Sequence, residues 1–138
     1  MFGRRAMTEP AKASPEPVFW PKLTAGDAAE EWPALREWVT RLGERFPHAV
    51  RLPACWWRHN DLVELLAALR DYERASYRAG GPMTGPVEFH RAFREVELRL
   101  ELWIKRLNCG LPGREHDGPN DWQAFVKADA AARPERTD

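Results

Sequence analysis

The chain has 138 residues, 43% hydrophobic and 30% charged, a composition typical of one folded globular domain with tails rather than of a disordered chain. Its 21 basic and 21 acidic side chains give a net charge of zero, whereas dedicated nucleic-acid binders usually carry a basic surplus. No apolar run reaches the roughly 20 residues that span a bilayer, and no signal-peptide pattern is present, so we expect a cytoplasmic protein.

Residues 1–26 are predicted to form a flexible arm, because prolines at short intervals block a regular helix. These prolines are Pro10, Pro15, Pro17 and Pro21. Phe19 and Trp20, which are flanked by prolines, are the exception to this expected flexibility. We expect them to dock either on the parent domain or on a partner.

The first helix is predicted over residues 27–46, with Asp27 as its N-cap. Pro33 must lie in the first turn or mark a kink, so a short turn followed by a helix from about Pro33 is the alternative. Apolar residues at helical spacing define the buried face, namely Trp32, Leu35, Trp38, Val39, Leu42 and Phe46. Pro47 and Pro53 exclude helix from the connection over residues 47–59.

The second helix is predicted from about Asp61 to Ala79, with Asn60 as its N-cap. Its expected buried face comprises Leu62, Leu65, Leu66, Leu69, Tyr72 and Ser76. The third helix, over residues 85–109, opens with Gly85 as cap and Pro86 in the first position. Its apolar seam comprises Phe89, Phe93, Val96, Leu100, Trp103 and Leu107. Helices two and three should form an antiparallel hairpin.

A short fourth helix is predicted over residues 121–132, where Asn120 and Gln123 resemble a capping box. Its anchoring residues are Trp122, Phe125 and Val126. Residues 133–138 should form a disordered tail. The predicted fold is therefore all-α, a small bundle of three main helices plus a short C-terminal helix within a single domain over residues 27–132.

Cysteine and histidine side chains are the candidates for metal binding or nucleophilic catalysis. Zinc prefers such ligands, but Cys55, His59, His90 and Cys109 do not follow a known zinc-binding spacing. His90 and Cys109 would lie about 30 Å apart along one helix, which excludes a four-ligand site, and we expect no metal site and no cofactor. Cys55 beside His59 or His48 could also form a nucleophilic pair, although no surrounding motif supports catalysis. We therefore do not expect an enzyme.

Tryptophan is unusually frequent, with seven residues in the chain, and tryptophan is enriched at binding hot spots. A core of this size should bury three or four of them, which leaves Trp20 and one of Trp56 and Trp57 outside it. One of that pair should fix the start of the second helix to the core. The other should cover the surface or a partner, with Arg58 stacked nearby. The candidate interaction residues are Trp56, Trp57, Arg58, His59 and Trp20. A purely structural role for this stretch is the alternative.

An arginine-rich face is the candidate for nucleic-acid binding, since arginines with exposed aromatic rings can hold phosphates and stack bases. It comprises Arg36, Arg41, Arg45, Arg51 and Arg58. The connection before the second helix is too long for a helix-turn-helix motif, and Asp61 and Glu64 would face the phosphates. Nucleic-acid binding is therefore the less favoured interpretation.

Three stretches within residues 28–108 carry a family resemblance, namely the acidic helix start EEW, the run RLPACWWRHNDLVELLAALRDYERASY and the following GPVEFHRAFREVELRL. Together they resemble an uncharacterised actinobacterial family. This family is one of the domains of unknown function found in plasmids, integrative elements and phages. The resemblance implies a small helical accessory protein of a mobile element, and it carries no catalytic or ligand residues across. We therefore expect a non-enzymatic protein-interaction module with an unidentified protein partner, including self-association through residues 85–109. A DNA-associated accessory protein is the alternative.

Overall fold

A computed structural model of the chain describes residues 16–107, 109 and 121–136. This part of the chain contains four α-helices and two short 3₁₀ turns, at Trp20–Lys22 and Trp56–Arg58. The helices are α1 (Ala25–Arg45), α2 (Asn60–Ser76), α3 (Gly85–Leu107) and α4 (Trp122–Ala131). The predicted all-α bundle of three main helices and a short C-terminal helix is confirmed. In the described ranges, no helix has both the length and the apolar character needed to cross a membrane.

Helix α1 begins at Ala25, because Thr24 rather than Asp27 is its N-cap. The Thr24 hydroxyl accepts a hydrogen bond from the Asp27 backbone N–H at 3.2 Å. The helix continues through Pro33, so the alternative start at Pro33 is wrong. Proline at this position leaves the carbonyl of Ala29 without its helical donor. Both residues are exposed, and water can satisfy that carbonyl.

Helices α2 and α3 form the antiparallel hairpin predicted from the sequence. At one end Gly85 touches the backbone of Ser76, and at the other end His59, just before α2, lies 3.2 Å from Cys109, just after α3. The hairpin contributes half of the buried hydrophobic residues, namely Leu62, Val63, Leu66, Ala67, Leu69, Phe89, Phe93, Val96 and Leu100. The end of α2 therefore meets the start of α3, and the start of α2 meets the end of α3.

The buried face of α2 differs from the prediction at five positions. Leu65 is only half-buried, whereas Val63 and Ala67 are buried. Tyr72 is largely exposed, whereas Arg70 is buried and forms an ion pair with Glu31 of α1 at 3.0 Å. The burial of Arg70 could not be predicted, because the spacing of apolar residues along α2 does not reveal its acidic partner on α1. The helix also ends at Ser76 instead of Ala79, since the backbone leaves the helical conformation at Tyr77.

The first turn of α2 is also built differently from the prediction. His59 rather than Asn60 occupies the N-cap position, and it makes no capping hydrogen bond through its side chain. Asn60 is already within the helix and donates a hydrogen bond to Glu64 at 2.7 Å.

Helix α4 starts at Trp122 with Asp121 as its cap, which accepts from the Ala124 N–H at 3.0 Å. The expected capping residue Asn120 lies outside the described residues.

The segments on either side of the bundle are docked where the structure describes them. Trp20 is 2% exposed, so the predicted flexible arm includes a packed segment before α1. The Arg133 guanidinium donates to the carbonyls of Trp20 and Leu23 at 2.8 and 3.1 Å, and the disorder expected from residue 133 is wrong for residues 133–136. The predictions therefore differ from the structure only in the parts of the two segments that hold each other, since the Ala25 N–H also donates to the Pro134 carbonyl. Residues 1–15 and 137–138 lie outside the described residues.

Candidate functional site

The tryptophan pair lies in the 3₁₀ turn that leads into α2, and both indoles are buried, each with 8% exposure. The Trp57 ring packs against Trp122 and Phe125 of α4, with ring centroids 5.7 and 4.9 Å away. Helix α4 therefore covers the Trp57 ring. Because both members of the pair are buried, the expectation that one of them faces outwards is wrong.

Trp20 is also buried and lies edge-on to Trp32, with 4.9 Å between the ring centroids. The expectation that it stays outside the core is therefore wrong as well. Arg58 does stack near Trp57, as predicted, at 5.6 Å from its ring centroid. Partner binding by this region stays a prediction, and its three indoles are engaged inside the chain.

Cys55, His59 and Cys109 form a cluster, called here the thiol–imidazole cluster. The Sγ atoms of Cys55 and Cys109 lie 3.5 and 3.2 Å from the Nε2 atom of His59. Their three candidate ligand atoms all lie within 4.8 Å of one another, and the residues are half-buried. Both cysteines belong to the described part of the chain, and both are thiols.

Three structural elements position this cluster. Cys55 precedes the 3₁₀ turn and His59 follows it, so the turn folds their side chains towards each other. Cys109 lies just beyond the end of α3, and the antiparallel hairpin brings that end beside the start of α2. The buried Trp56 and Trp57 lie between the first two residues in the sequence and hold the turn against the core.

The environment of Cys55 disfavours its thiolate. Burial raises the pKa of Cys55, and the hydrogen bond and charge of Cys109 add to this effect, while a backbone hydrogen bond and the charge of Arg58 act in the opposite direction. A cysteine nucleophile needs a lowered pKa, so the observed contact with His59 does not make an activated catalytic pair. Sulfur and imidazole nitrogen are, however, the ligands that zinc prefers.

His90 is separate from this cluster. It is exposed near the start of α3, with its ring centroid 5.8 Å from that of Phe46, whereas Cys109 follows the other end of the same helix. The four-ligand set rejected from the sequence is thus absent among the described residues. The cluster of Cys55, His59 and Cys109 was missed, although the predicted hairpin already placed residues 59 and 109 at the same end.

Two of the five arginines of the arginine-rich face are paired with carboxylates. Arg41 pairs with Glu37 and Arg45 pairs with Glu73, each at 3.0 Å. Arg36 lies over the Trp122 ring at 4.6 Å. Arg51 is exposed and lines a different groove, whereas Arg58 lies over the Trp57 ring. Carboxylates therefore balance two of the five positive charges, and the buried Trp56 and Trp57 do not offer their rings for base stacking.

The outer face of α3 carries two exposed leucines one helical turn apart. Leu98 is 49% exposed and Leu102 is 47% exposed. Beside them runs a groove of about 560 Å³ between α3 and the loop after α1. Its lining includes His48, Ala49, Arg51, Leu98, Ile104 and Lys105. This surface combines apolar side chains with a charged rim.

Comparisons with protein-family models, curated proteins and solved structures found no match. The function is therefore inferred from the residues and geometry of the chain itself. Three places bear on that inference, namely the thiol–imidazole cluster, the arginine-rich face and the outer face of α3.

Proposed function

We propose that the protein is a non-enzymatic binding module that contacts another protein through the outer face of α3, and that this partner is a second copy of the chain. The exposure of Leu98 and Leu102 supports this proposal most directly. Single exposed leucines are common on protein surfaces, whereas adjoining apolar side chains beside a groove are typical of interaction sites.

The helical geometry places these leucines at the centre of the outward face. Leu100 is buried, and a rotation of 100° per residue puts Leu98 and Leu102 on either side of the line directly opposite it. In an antiparallel pairing centred on Leu100, Leu98 would lie opposite Leu102 of the second copy. Glu95 would come level with Lys105 of the second copy. A two-fold axis repeats both pairs, as a symmetric dimer requires.

The non-enzymatic part of the proposal is supported by the state of the candidate catalytic groups. Cys55 is held as a thiol, and acidic residues of α3 such as Glu88 and Glu95 lie in ion pairs with arginines on the surface. A cytoplasmic location fits two cysteines kept as thiols, since disulfides form in oxidising compartments. We propose a role as an accessory protein of a mobile element from the family resemblance alone.

The experiment is light scattering coupled to size-exclusion chromatography over a range of concentrations, with the absorbance ratio at 260 and 280 nm followed across the peak. We expect a dimer without nucleic acid that dissociates on dilution. Leu98→Glu should give a monomer, because the substitution buries a charge at the centre of the contact. Val87→Glu is the matched control, since Val87 is 56% exposed on the same helix but lies beyond the overlap of the two copies.

Two results would overturn the proposal. A chain that stays monomeric at every concentration has no self-association for the outer face of α3 to explain. A peak that carries nucleic acid, with an affinity that falls steeply as salt rises, would favour the DNA-associated alternative.

A further inference from the structure

We propose that Cys55, His59 and Cys109 form a zinc site that joins the start of α2 to the end of α3. The inference rests on the convergence of two sulfurs and one imidazole nitrogen from two separate parts of the chain. It goes beyond the binding function proposed above and is independent of the outer face of α3.

The distances within the cluster are close to those of tetrahedral zinc ligands. With Zn–S bonds of about 2.3 Å and Zn–N bonds of about 2.0 Å, tetrahedral angles place sulfur and nitrogen roughly 3.5 Å apart and two sulfurs roughly 3.8 Å apart. The observed sulfur–nitrogen distances are 3.5 Å for Cys55 and 3.2 Å for Cys109. An outward movement of the Cys109 sulfur by a few tenths of an ångström would bring its distance to nitrogen to the tetrahedral value, and the two sulfurs lie within 4.8 Å of each other.

A hydrogen-bonded arrangement, with Cys55 hydrogen-bonded to Cys109, uses only one of the two sulfur–nitrogen contacts at a time. Both sulfurs approach the same atom, Nε2 of His59. That nitrogen carries either one lone pair or one N–H, so it makes one good hydrogen bond at a time. A zinc ion would bind all three atoms at once and remove this competition.

The chemistry of the donors selects the ion. Calcium and magnesium take oxygen ligands, whereas thiolate and imidazole suit zinc. Binding releases the two thiol protons to solvent and forms two Zn–S bonds, so two thiolate charges balance the dication. The fourth tetrahedral position is completed by water or by another donor.

The location assigns the ion a structural role. The hairpin is closed at one end by the contact between Gly85 and Ser76, and the zinc site would close the opposite end. The link would also hold the 3₁₀ turn that carries Trp56 and Trp57. The ion would therefore stabilise the whole α2–α3 hairpin.

The test uses the untagged full-length chain, reduced and stripped with a chelator, and then titrated with Zn²⁺ and with Co²⁺. We expect one ion per chain, and we expect the cobalt form to show the visible ligand-field bands of a tetrahedral site with a thiolate charge-transfer band. Cys55→Ser, His59→Asn and Cys109→Ser should each weaken binding at least ten-fold. His48→Asn is the matched control, because His48 is exposed in the connection before the cluster and should leave binding unchanged.

Circular dichroism identifies any variant that fails to fold, and the cobalt spectrum of the unmodified chain tests the site without a substitution. No uptake of either ion by the reduced chain would overturn the proposal. Uptake without a thiolate band, or an equal loss of binding in His48→Asn, would overturn it as well. A disulfide between Cys55 and Cys109 in a glutathione buffer of cytosolic ratio, with no ion bound, would show a redox pair instead.

Discussion

Gly85→Ala should strongly destabilise the protein, because Gly85 is where α3 begins against the end of α2. A Cβ atom at this position would lie 2.1 Å from the carbonyl oxygen of Ser76, and separations below 3.0 Å are essentially never seen. The start of α3 would have to move by about 1 Å, and the obstacle is backbone, which cannot rotate away. Overpacking of this kind costs about 2–3 kcal/mol. For a domain of this size that corresponds to a fall in Tm of about 10 °C.

Gly43→Ala is the matched control for that experiment. A Cβ atom at Gly43, within α1, meets nothing within 4 Å. Alanine should therefore stabilise α1 by about 0.5–1 kcal/mol through its better helix propensity. Urea unfolding followed by circular dichroism measures both changes. A Gly85→Ala variant as stable as the unmodified chain would refute the close approach of α2 and α3, and a destabilised Gly43→Ala would refute the propensity argument.

Trp32→Phe should lower the free energy of unfolding by about 1–2 kcal/mol, since it deletes the indole hydrogen bond to Asp129 at 2.9 Å; an unchanged urea midpoint would contradict this. Arg133→Ala removes the donor from two half-buried backbone carbonyls and should cost about 1–3 kcal/mol, measured by thermal unfolding. An unchanged Tm would show that the C-terminal segment does not hold the fold. Zinc at about 100 times its Kd should stabilise the chain by about 2.7 kcal/mol in calorimetry, and Cys109→Ser, which should weaken binding at least ten-fold, should reduce this gain to about 1.4 kcal/mol or less. For the reduced, metal-free chain, the pKa of Cys55 is higher in the folded than in the unfolded state. Stability should therefore be fully present at neutral pH and decrease as pH rises through the ordinary thiol range, because the unfolded chain loses its proton first. Urea midpoints across that range measure the decrease, and Cys55→Ser should flatten it; an identical slope in the variant would contradict the assignment.

The helices could be predicted because each has a single buried stripe with local start and stop signals. Phe89, Phe93 and Leu100 show the pattern in α3, and all three are buried. The start of α1 was misplaced because Thr24 and Asp27 are both able to cap a helix. The choice between them depends on whether the intervening turn is helical, and a short sequence pattern does not decide that.

The burial of the tryptophans could not be predicted from their local sequence. Trp57 is covered by Trp122 and Phe125, which belong to a helix far away in the chain. Two adjacent aromatic residues in a loop are expected to point in opposite directions, so that only one is buried. Here both Trp56 and Trp57 are buried against other side chains. The sequence predicts α4 and its apolar residues Trp122 and Phe125, but it does not show that they pack on the turn before α2.

The thiol–imidazole cluster shows a different limit of sequence reasoning. The short spacing between Cys55 and His59 is visible in the sequence, and the antiparallel hairpin was predicted. The proximity of Cys109 follows only when the two are combined, because the hairpin converts a long separation along the chain into a short distance in space. The residue types were considered together with His90, and the distance to His90 led to the rejection of the whole set.

The pairing of the two outer segments also determines how the domain can be connected to other chains. The backbone N–H of Ala25 donates to the carbonyl of Pro134 at 2.8 Å, so the polypeptide enters and leaves the bundle at the same place. A surface loop of a host protein could therefore receive this domain as an insertion without being stretched apart. A circular permutant should likewise keep the fold if a short linker joins these segments and new termini are opened between α2 and α3.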